Sequence, residues 1–571
     1  MASSSASASS AIHQPKEKYD NPRNLKKIDL SYSWQLVDVP NLSECLESIC
    51  LKGCGSLDQI PDLSKCLNIA SINLEGCEKL VEVPSYFENL QKLTYLNLRE
   101  CPSLKSFPAA MPSNMEFLLL GADQRSIFST DYRSECSELP LSIWSLEKLV
   151  ELDLYGFHTA LRIFQTALGD ITELHKSIGT TLVGLKKLDL SYCESLVSVP
   201  DSIWELNRLE DFGLDGCLKL KKLPPSSSVI LGSLISYLDL SGCTSLEEIP
   251  DGLMICLTSL TSLILRNCEG LQSLTGLPCL LRILDVDGCT NLRVVSFSMA
   301  AVTQGLDQTR DEENYSFRSC INLERNAKNN IIDNAQLRIM RMATAYSKHK
   351  QINQEFKNRY LSNEYSSFRI VYPGNEIPPW FRYQTEGSSI TIKLPVHPSH
   401  TNTNFWQICL CAVLTIDEDE DEHRDWFRYI DESIAPSCKY NFTTNNGYIS
   451  QFDMRMPRDI LSDDPIDIHS LDQSQVFVWY LRDWPTYVSN AREASFEFNP
   501  YDLFEGFEEA DKCYLDRIKV KRCGVCLLQS QGQDVVAVDQ DVGEPQPEQV
   551  ISRKRIRDEY EASGSAIVPE F

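Results

Sequence analysis

The sequence predicts an α/β repeat solenoid, a horseshoe of stacked short strands, followed by an all-β sandwich. Three observations carry this. An apolar phrase recurs at similar intervals from Leu25 to Cys289. Eight of the 21 cysteines fall at one position of that phrase. From about Ser366 onward, six short stretches rich in β-branched and aromatic residues alternate with turns and polar loops.

The phrase places apolar residues at its first, fourth and sixth positions and a Cys at its ninth. It reads Leu46, Ile49, Leu51, Cys54, then Ile69, Ile72, Leu74, Cys77, then Leu93, Leu96, Leu98, Cys101. Further copies begin at Met115, Leu149, Leu185, Leu209, Ile235, Leu260 and Leu281, and the first, at Leu25, has Ser33 in place of Cys. This is the leucine-rich repeat pattern. Positions four and six point inward from a short strand, and the small, mildly apolar Cys side chain fills a tight corner. A second phrase follows in several units, as in Leu57, Ile60, Pro61 and Leu246, Ile249, Pro250. Its proline blocks regular helix, so turns or short helical pieces are expected on the convex side. Stacking supplies the core that no single unit can form. Eleven strands spaced at about 4.8 Å make an inner sheet about 48 Å long, a surface scaled for another protein.

The steps into Leu149 and Leu185 are longer than the others, so inserts are expected near Asp123–Ser145 and Gly156–Thr181, the second with helical spacing. Residues 1–20 read as a disordered Ser/Ala-rich tail and 21–300 as the solenoid. Residues 301–362 read as a capping helical segment and linker, in which Phe317, Cys320, Leu323, Ala327, Ile331, Ala335, Ile339 and Ala343 form an amphipathic helix. Residues 363–530 read as the sandwich, with strands FRIVYP, SSITIKLP, WQICLCAVLTI, QVFVWYL, ASFEF and IKVKRCGVCLL. Residues 531–571 read as a disordered acidic tail containing the basic cluster Ser552–Arg557.

The net charge is −26, with 54 Lys and Arg against 80 Asp and Glu, which argues against nucleic acid as the main partner. Cysteines that packing explains require no disulfides, and the N-terminus lacks the charged and apolar regions of a secretory signal. A reducing compartment is expected, the cytoplasm with the nucleus as the alternative if the basic cluster directs import. No apolar stretch is long enough to span a bilayer, so no membrane insertion is expected. The chain carries no HExxH, GxSxG or phosphate-binding GxxxxGK[ST] string. Cys523 and Cys526 form a lone CxxC, read as packed sulfurs rather than a zinc site. No enzyme activity, cofactor or metal is expected.

Three kinds of string carry a family resemblance. The repeats read NLKKIDLSYSWQLVDVPNLSEC and LEGCEKLVEVPSYFENLQKLTYLNLREC, the capping segment SCINLERNAKNNIIDNAQLRIMRMA, and the most specific string is YPGNEIPPWF. Together they resemble the C-terminal portion of plant intracellular disease resistance receptors of the TIR–nucleotide-binding–leucine-rich-repeat type. The signature residues Pro373, Gly374, Asn375, Glu376, Ile377, Pro378, Trp380 and Phe381 match the post-repeat C-JID domain. The resemblance implies a jelly-roll and Ig-like sandwich. It also implies an effector-sensing half without the TIR and nucleotide-binding parts, whose partner is a pathogen effector or a host protein. The alternative is an adaptor or decoy that pairs with a complete receptor. Read as residues, the signature is a folding staple in which Ile377, Trp380 and Phe381 supply apolar anchors.

For partner contact, the bulky or charged residues between the apolar strand positions stand out: Lys52, Glu75, Tyr95, Arg99, Tyr155, Tyr237, Arg266 and Asp287. Replacing Tyr95 and Arg99 with Ala is expected to leave folding intact, since neither belongs to the buried set. The middle strand position carries Asp29, Asn73, Asn97, Asp153, Asp189, Asp239 and Asp285. These read either as an acidic ribbon for a basic partner or as residues that recur in this repeat class and tolerate exposure.

Overall fold

The computed structural model describes residues 24–39, 42–121, 141–154, 178–225, 234–250, 252–298, 312–354, 367–394, 406–416, 434–444, 447, 449–456, 474–481, 491–502, 518–531 and 534–537. The N-terminal tail, Tyr155, most of both inserts, the acidic run Asp417–Glu422 and the basic cluster lie outside them. Two compact units divide the chain. The first comprises Met1–Gly305 and Asn314–Ile331, the second Leu306–Glu313 and Ile332–Phe571.

In the first unit, each copy of the phrase forms one short parallel strand, from Lys27–Asp29 and Ser48–Cys50 through Ile283–Asp285. Neighbours pair without register shift, so Ile49, Ile72, Leu96, Leu118 and Leu152 stack in one column. The sixth-position residues Leu51, Leu74 and Leu98 stack behind them, buried like the fourth-position column. The ninth-position cysteines do more than fill space. Cys54 donates its S–H to Leu30 O (3.3 Å), Cys217 to Leu190 O (3.3 Å), Cys243 to Leu214 O (3.2 Å) and Cys268 to Leu240 O (3.0 Å), so each thiol ties one repeat to the one before. Just before the cysteine, the chain turns through positive φ. Gly53 (φ 71°) and Gly216 (φ 68°) serve there beneath the Tyr32 and Tyr192 rings, where a Cβ would lie 2.7 and 2.8 Å from ring carbons. On the other side, short 3-10 turns follow the prolines, Ser85–Asn89 after Pro84 and Asp201–Glu205 after Pro200, as the second phrase predicts.

A twelfth strand extends the sheet. Asn314, Tyr315 and Ser316 of Glu312–Ser316 pair with Ile283–Asp285, and Cys320 donates to Val286 O (3.1 Å) in the ladder geometry. Phe317, Cys320 and Leu323, expected on the helix, therefore belong to a repeat and the turns after it. Their spacing of three imitates a helix, while the charged Glu312 at the first position hides the phrase. The helix itself is Arg325–Gln354, with Ala327, Ile331, Ala335, Ile339 and Ala343 on its buried side.

Among the described residues, the second unit contains two antiparallel sheets. One runs Ser367–Pro373, Gln475–Leu481, Trp406–Ile416, Ile518–Gln531, and the last of these carries Tyr383–Glu386 and Asp534–Ala537 on its other edge. The other runs Ser389–Lys393, Ala491–Asp502, Ile434–Thr444, Ile449–Arg455. Leu410, Phe477, Trp479 and Val525 of the first meet Tyr440, Phe442, Phe496 and Phe498 of the second in one core. Four of these strands were not among the six expected. The alternation Cys438, Tyr440, Phe442 is present in Ile434–Thr444, but Pro436 disguises it. Asp534–Ala537 falls inside the stretch expected to be disordered.

The first sheet is buried on both faces. Ile370, Tyr372, Cys409, Cys411, Val478, Tyr480 and Cys526 alternate with the core set yet are equally inaccessible. Gln407 explains part of this cover. Its Nε2 donates to Ala343 O (3.0 Å) and Ser347 Oγ (2.9 Å) of the helix, while its Oε1 accepts from Tyr480 OH. Double burial is why WQICLCAVLTI and QVFVWYL read as nearly unbroken apolar runs.

Candidate recognition face

Because the third, fifth and seventh residues of each phrase point away from the solenoid core, three columns of side chains cross the strand face. The third column carries Tyr95, Phe117, Glu151, Lys187, Asp211 and Tyr237 in succession. Tyr95 and Phe117 lie with ring centroids 6.2 Å apart, both half-buried. Lys187 then bridges Glu151 (4.0 Å) and Asp211 (3.9 Å).

The fifth column is not an acidic ribbon. Its Asn and Asp oxygens accept the backbone N–H two residues on: Asn73 from Glu75, Asn97 from Arg99 and Asp189 from Ser191, each at 3.0 Å, and Asp239 from Ser241 at 2.9 Å. These Asx turns hold the chain as it leaves the strand, a local reason for the residue type to recur. Asn97, Asp153 and Asp285 are buried rather than exposed. Two of the charges are also neutralised, Asp153 by Arg99 and Asp285 by Arg266 Nε at 2.6 Å.

The expected contact residues separate accordingly. Lys52 pairs with Glu75 (2.7 Å), which also accepts from Asn97 Nδ2 (3.1 Å). Tyr237 OH donates to Asp239 Oδ2 (2.9 Å). Arg266 and Asp287, expected on the surface, are buried at 7% and 5% exposure. Asp287 accepts from Ser316 Oγ and the Arg318 N–H, both at 2.6 Å, so these two stitch the last repeats together. Burial pushes the Asp287 carboxyl well above the usual range; Asp285 adds to the shift and Arg318 opposes it.

Phe117, Glu151, Lys187 and Asp211 were missed; following the third position down the repeats, instead of choosing bulky residues singly, finds them. Asp211 adjoins a further acidic stretch with Asp189, Asp215 and Asp239 around Gly213, where a Cβ would lie 2.8 Å from Ser191 Oγ. Burial and then Asp239 raise the Asp215 carboxyl to about 7. Among the described residues, no group of three or more His, Cys, Asp or Glu is placed to hold a metal.

In the second unit, the signature string folds onto the sheet it follows. Gly374 N–H donates to Ser474 O (2.9 Å), and a Cβ there would meet Val476 Cγ2 at 3.2 Å. Ile377, Pro378 and Phe381 are buried, the Trp380 ring lies tilted against Phe381 with centroids 4.2 Å apart, and Asn375 and Glu376 are exposed. Ile377 and Phe381 close over Gly524, so the motif and the CGVC segment are one packing unit.

The repeat region and the signature segment both have relatives among known proteins. Residues 372–534 match the C-JID domain family. The chain has the makeup of the C-terminal portion of plant disease resistance receptors of the TIR–nucleotide-binding–leucine-rich-repeat type, leucine-rich repeats followed by a C-JID domain. Among its relatives in Arabidopsis thaliana, disease resistance protein RPS4B is 28% identical over 407 residues, 70% of this chain and 30% of the relative. Disease resistance protein LAZ5 is 30% identical over 455 residues, 75% and 34%. Disease resistance protein RPS6 is 26% identical over 434 residues, 70% and 34%. The chain thus spans about a third of the length of these relatives. The leucine-rich repeat domain of the type III effector XopL shares 19% identity at a TM-score of 0.24, covering 47% of this chain and 70% of that one, too loose a match to add to the fold. No helix among the described residues is long and apolar enough to cross a membrane.

Proposed function

We propose that this chain is a non-enzymatic recognition module of plant innate immunity that senses a pathogen effector, or a host protein an effector alters, inside the cell. Contact is assigned to the strand face around Tyr95 and Phe117, together with loops of the C-JID domain, read as a jelly-roll and Ig-like module. The observation that carries this is the half-buried aromatic pair beside the Glu151–Lys187–Asp211 string on a twelve-strand face, in a chain similar to disease resistance proteins. Aromatic side chains ringed by polar groups are the common anchors of protein interfaces. Lys52, Glu75, Arg99 and Tyr237 extend the surface on either side. The test is capture of proteins by the full chain from infected and uninfected tissue. Infection-specific recovery of a foreign protein, weakened about tenfold or more by Tyr95→Ala with Phe117→Ala, supports sensing. Constant recovery of a complete receptor in both tissues, untouched by those substitutions, would establish the adaptor reading instead.

A further inference from the structure

Charge is unevenly spread along the strand face. In repeats two to six, the third, fifth and seventh positions carry Lys52, Glu75, Arg99, Glu151 and Asp153. In repeats ten to twelve they carry Arg266, Asp285, Asp287 and Arg318, so both stretches are close to balance. Repeats seven to nine hold Asp189, Asp211, Asp215 and Asp239 at the same positions against one cation, Lys187. Lys187 stands 3.9 Å from Asp211 and is shared with Glu151 at 4.0 Å. All four of these aspartates are half-buried, so their charges meet less solvent screening than they would on an open surface.

Elsewhere on this face an arginine answers such a carboxylate. From position seven, Arg266 Nε donates to Asp285 Oδ2 of the next repeat at 2.6 Å, and Arg99 reaches Asp153 two repeats on. In repeat eight the seventh position is Asp215, so the group beside Asp239 is a second carboxylate. Burial and then Asp239 drive Asp215 up to about 7, and Asp189 adds to the rise. Arg266, whose charge also reaches Asp239, is committed to Asp285. Between these carboxylates Gly213 contributes no side chain, and a Cβ there would lie 2.8 Å from Ser191 Oγ and 3.0 Å from Asp189 Oδ1. Like charges are thus gathered where other repeats seat a guanidinium, and a cation brought from outside the chain would relieve them. At the other end of the stretch lies the aromatic pair. Phe117 and Asp211 hold the third position of repeats five and eight, three strand spacings or about 15 Å apart.

Resting on the reading of this face as the sensing surface, we propose that the partner it takes is basic. The partner sets a bulky apolar side chain on Tyr95 and Phe117 and, about 15 Å away, a Lys or Arg side chain among Asp189, Asp211, Asp215 and Asp239. The probe is a fluorescent peptide with Trp at one end and an Arg pair about 15 Å from it when extended, titrated with the full chain beside a twin carrying a Glu pair. The Arg peptide should bind about tenfold more tightly than its twin, and salt should erode the difference. Asp189→Asn, Asp211→Asn and Asp239→Asn together should weaken the Arg peptide about tenfold. Asn keeps the turns at positions 189 and 239, as Asn73 and Asn97 do in their own repeats. Glu82→Gln, Glu247→Gln and Glu248→Gln, exposed in the second phrase, remove the same net charge and should leave binding unchanged. Equal losses from the two sets would reduce the effect to net charge and overturn the proposal, as would equal binding of the two peptides. If the Asn set fails to fold, Lys187→Met decides: removing the one cation should tighten the Arg peptide, and no tightening overturns the proposal. The sensing reading is tested apart from this one. An infection-specific protein whose capture falls with Tyr95→Ala and Phe117→Ala but not with the Asn set would uphold that reading and sink the basic partner.

Discussion

Replacing Gly524 with Ala tests whether the signature string and the CGVC strand are one packing unit. A Cβ on Gly524 would lie 3.0 Å from Ile377 Cγ2, 3.3 Å from Ile377 Cδ1 and 3.3 Å from Phe381 Cδ1. Carbon contacts are most favourable at about 3.5–4.0 Å, so each neighbour must retreat by a few tenths of an ångström. Phe381 has little room, being 1% exposed and packed on Trp380. Overpacking of this kind costs about 1–3 kcal/mol. The reduced freedom of the unfolded chain on losing a glycine offsets about 0.4–1 kcal/mol. The net expectation is a loss of about 1–2 kcal/mol. Because the chain has two units, a whole-molecule unfolding curve would blur this value. Native-state hydrogen exchange of peptides covering 367–381 and 518–531 isolates it. Ile377→Ala removes the nearer of the clashing atoms and leaves Phe381, so in the Gly524→Ala background it should cost about 1 kcal/mol less than in the unaltered chain. Neutral behaviour of Gly524→Ala, or strict additivity with Ile377→Ala, would refute the packing account.

Three more outcomes follow from the same geometry. Arg99→Ala, expected from sequence to spare the fold, should instead destabilise the solenoid by about 3 kcal/mol, because it strips the guanidinium from the 2%-exposed Asp153; chemical denaturation that shows no loss would sink this. Asp215 binds its proton more tightly folded than unfolded, since burial raises it from 3.8 to about 7. Its contribution is therefore complete below pH 4 and is lost as pH rises through about 7, so Asp215→Asn should flatten the fall in melting temperature between pH 5 and 8. Burial pushes the Cys77 thiol up to about 12, while Cys45 is exposed, so alkylation of the native chain should mark Cys45 well before any ladder cysteine; early labelling of Cys77 would contradict the ladder.

The solenoid was legible because its information is local. Each strand, its buried positions and its corner cysteine are written within nine consecutive residues, and the repetition of that phrase makes the reading robust. The twelfth repeat escaped where Glu312 breaks the phrase and Phe317, Cys320 and Leu323 fit a helical period as well. The polar contacts of the strand face were less legible because they join different repeats. Arg99 meets Asp153 across an insert, 54 residues away in sequence, and Arg266 looks like a surface residue until Asp285 of the next repeat covers it. In the second unit, apolar runs announced strands but not their partners. Ser367–Pro373 pairs with Gln475–Leu481 across about a hundred residues, and no local period encodes such a choice. Only tertiary packing decided that both faces of that sheet are covered, that Gln407 satisfies Tyr480 and the helix together, and that the signature string spends its aromatics on Gly524. The sequence determined which residues must leave water; the three-dimensional stacking determined which of the polar ones left with them, because a charged side chain is buried only where a neighbour brought by the fold can neutralise it.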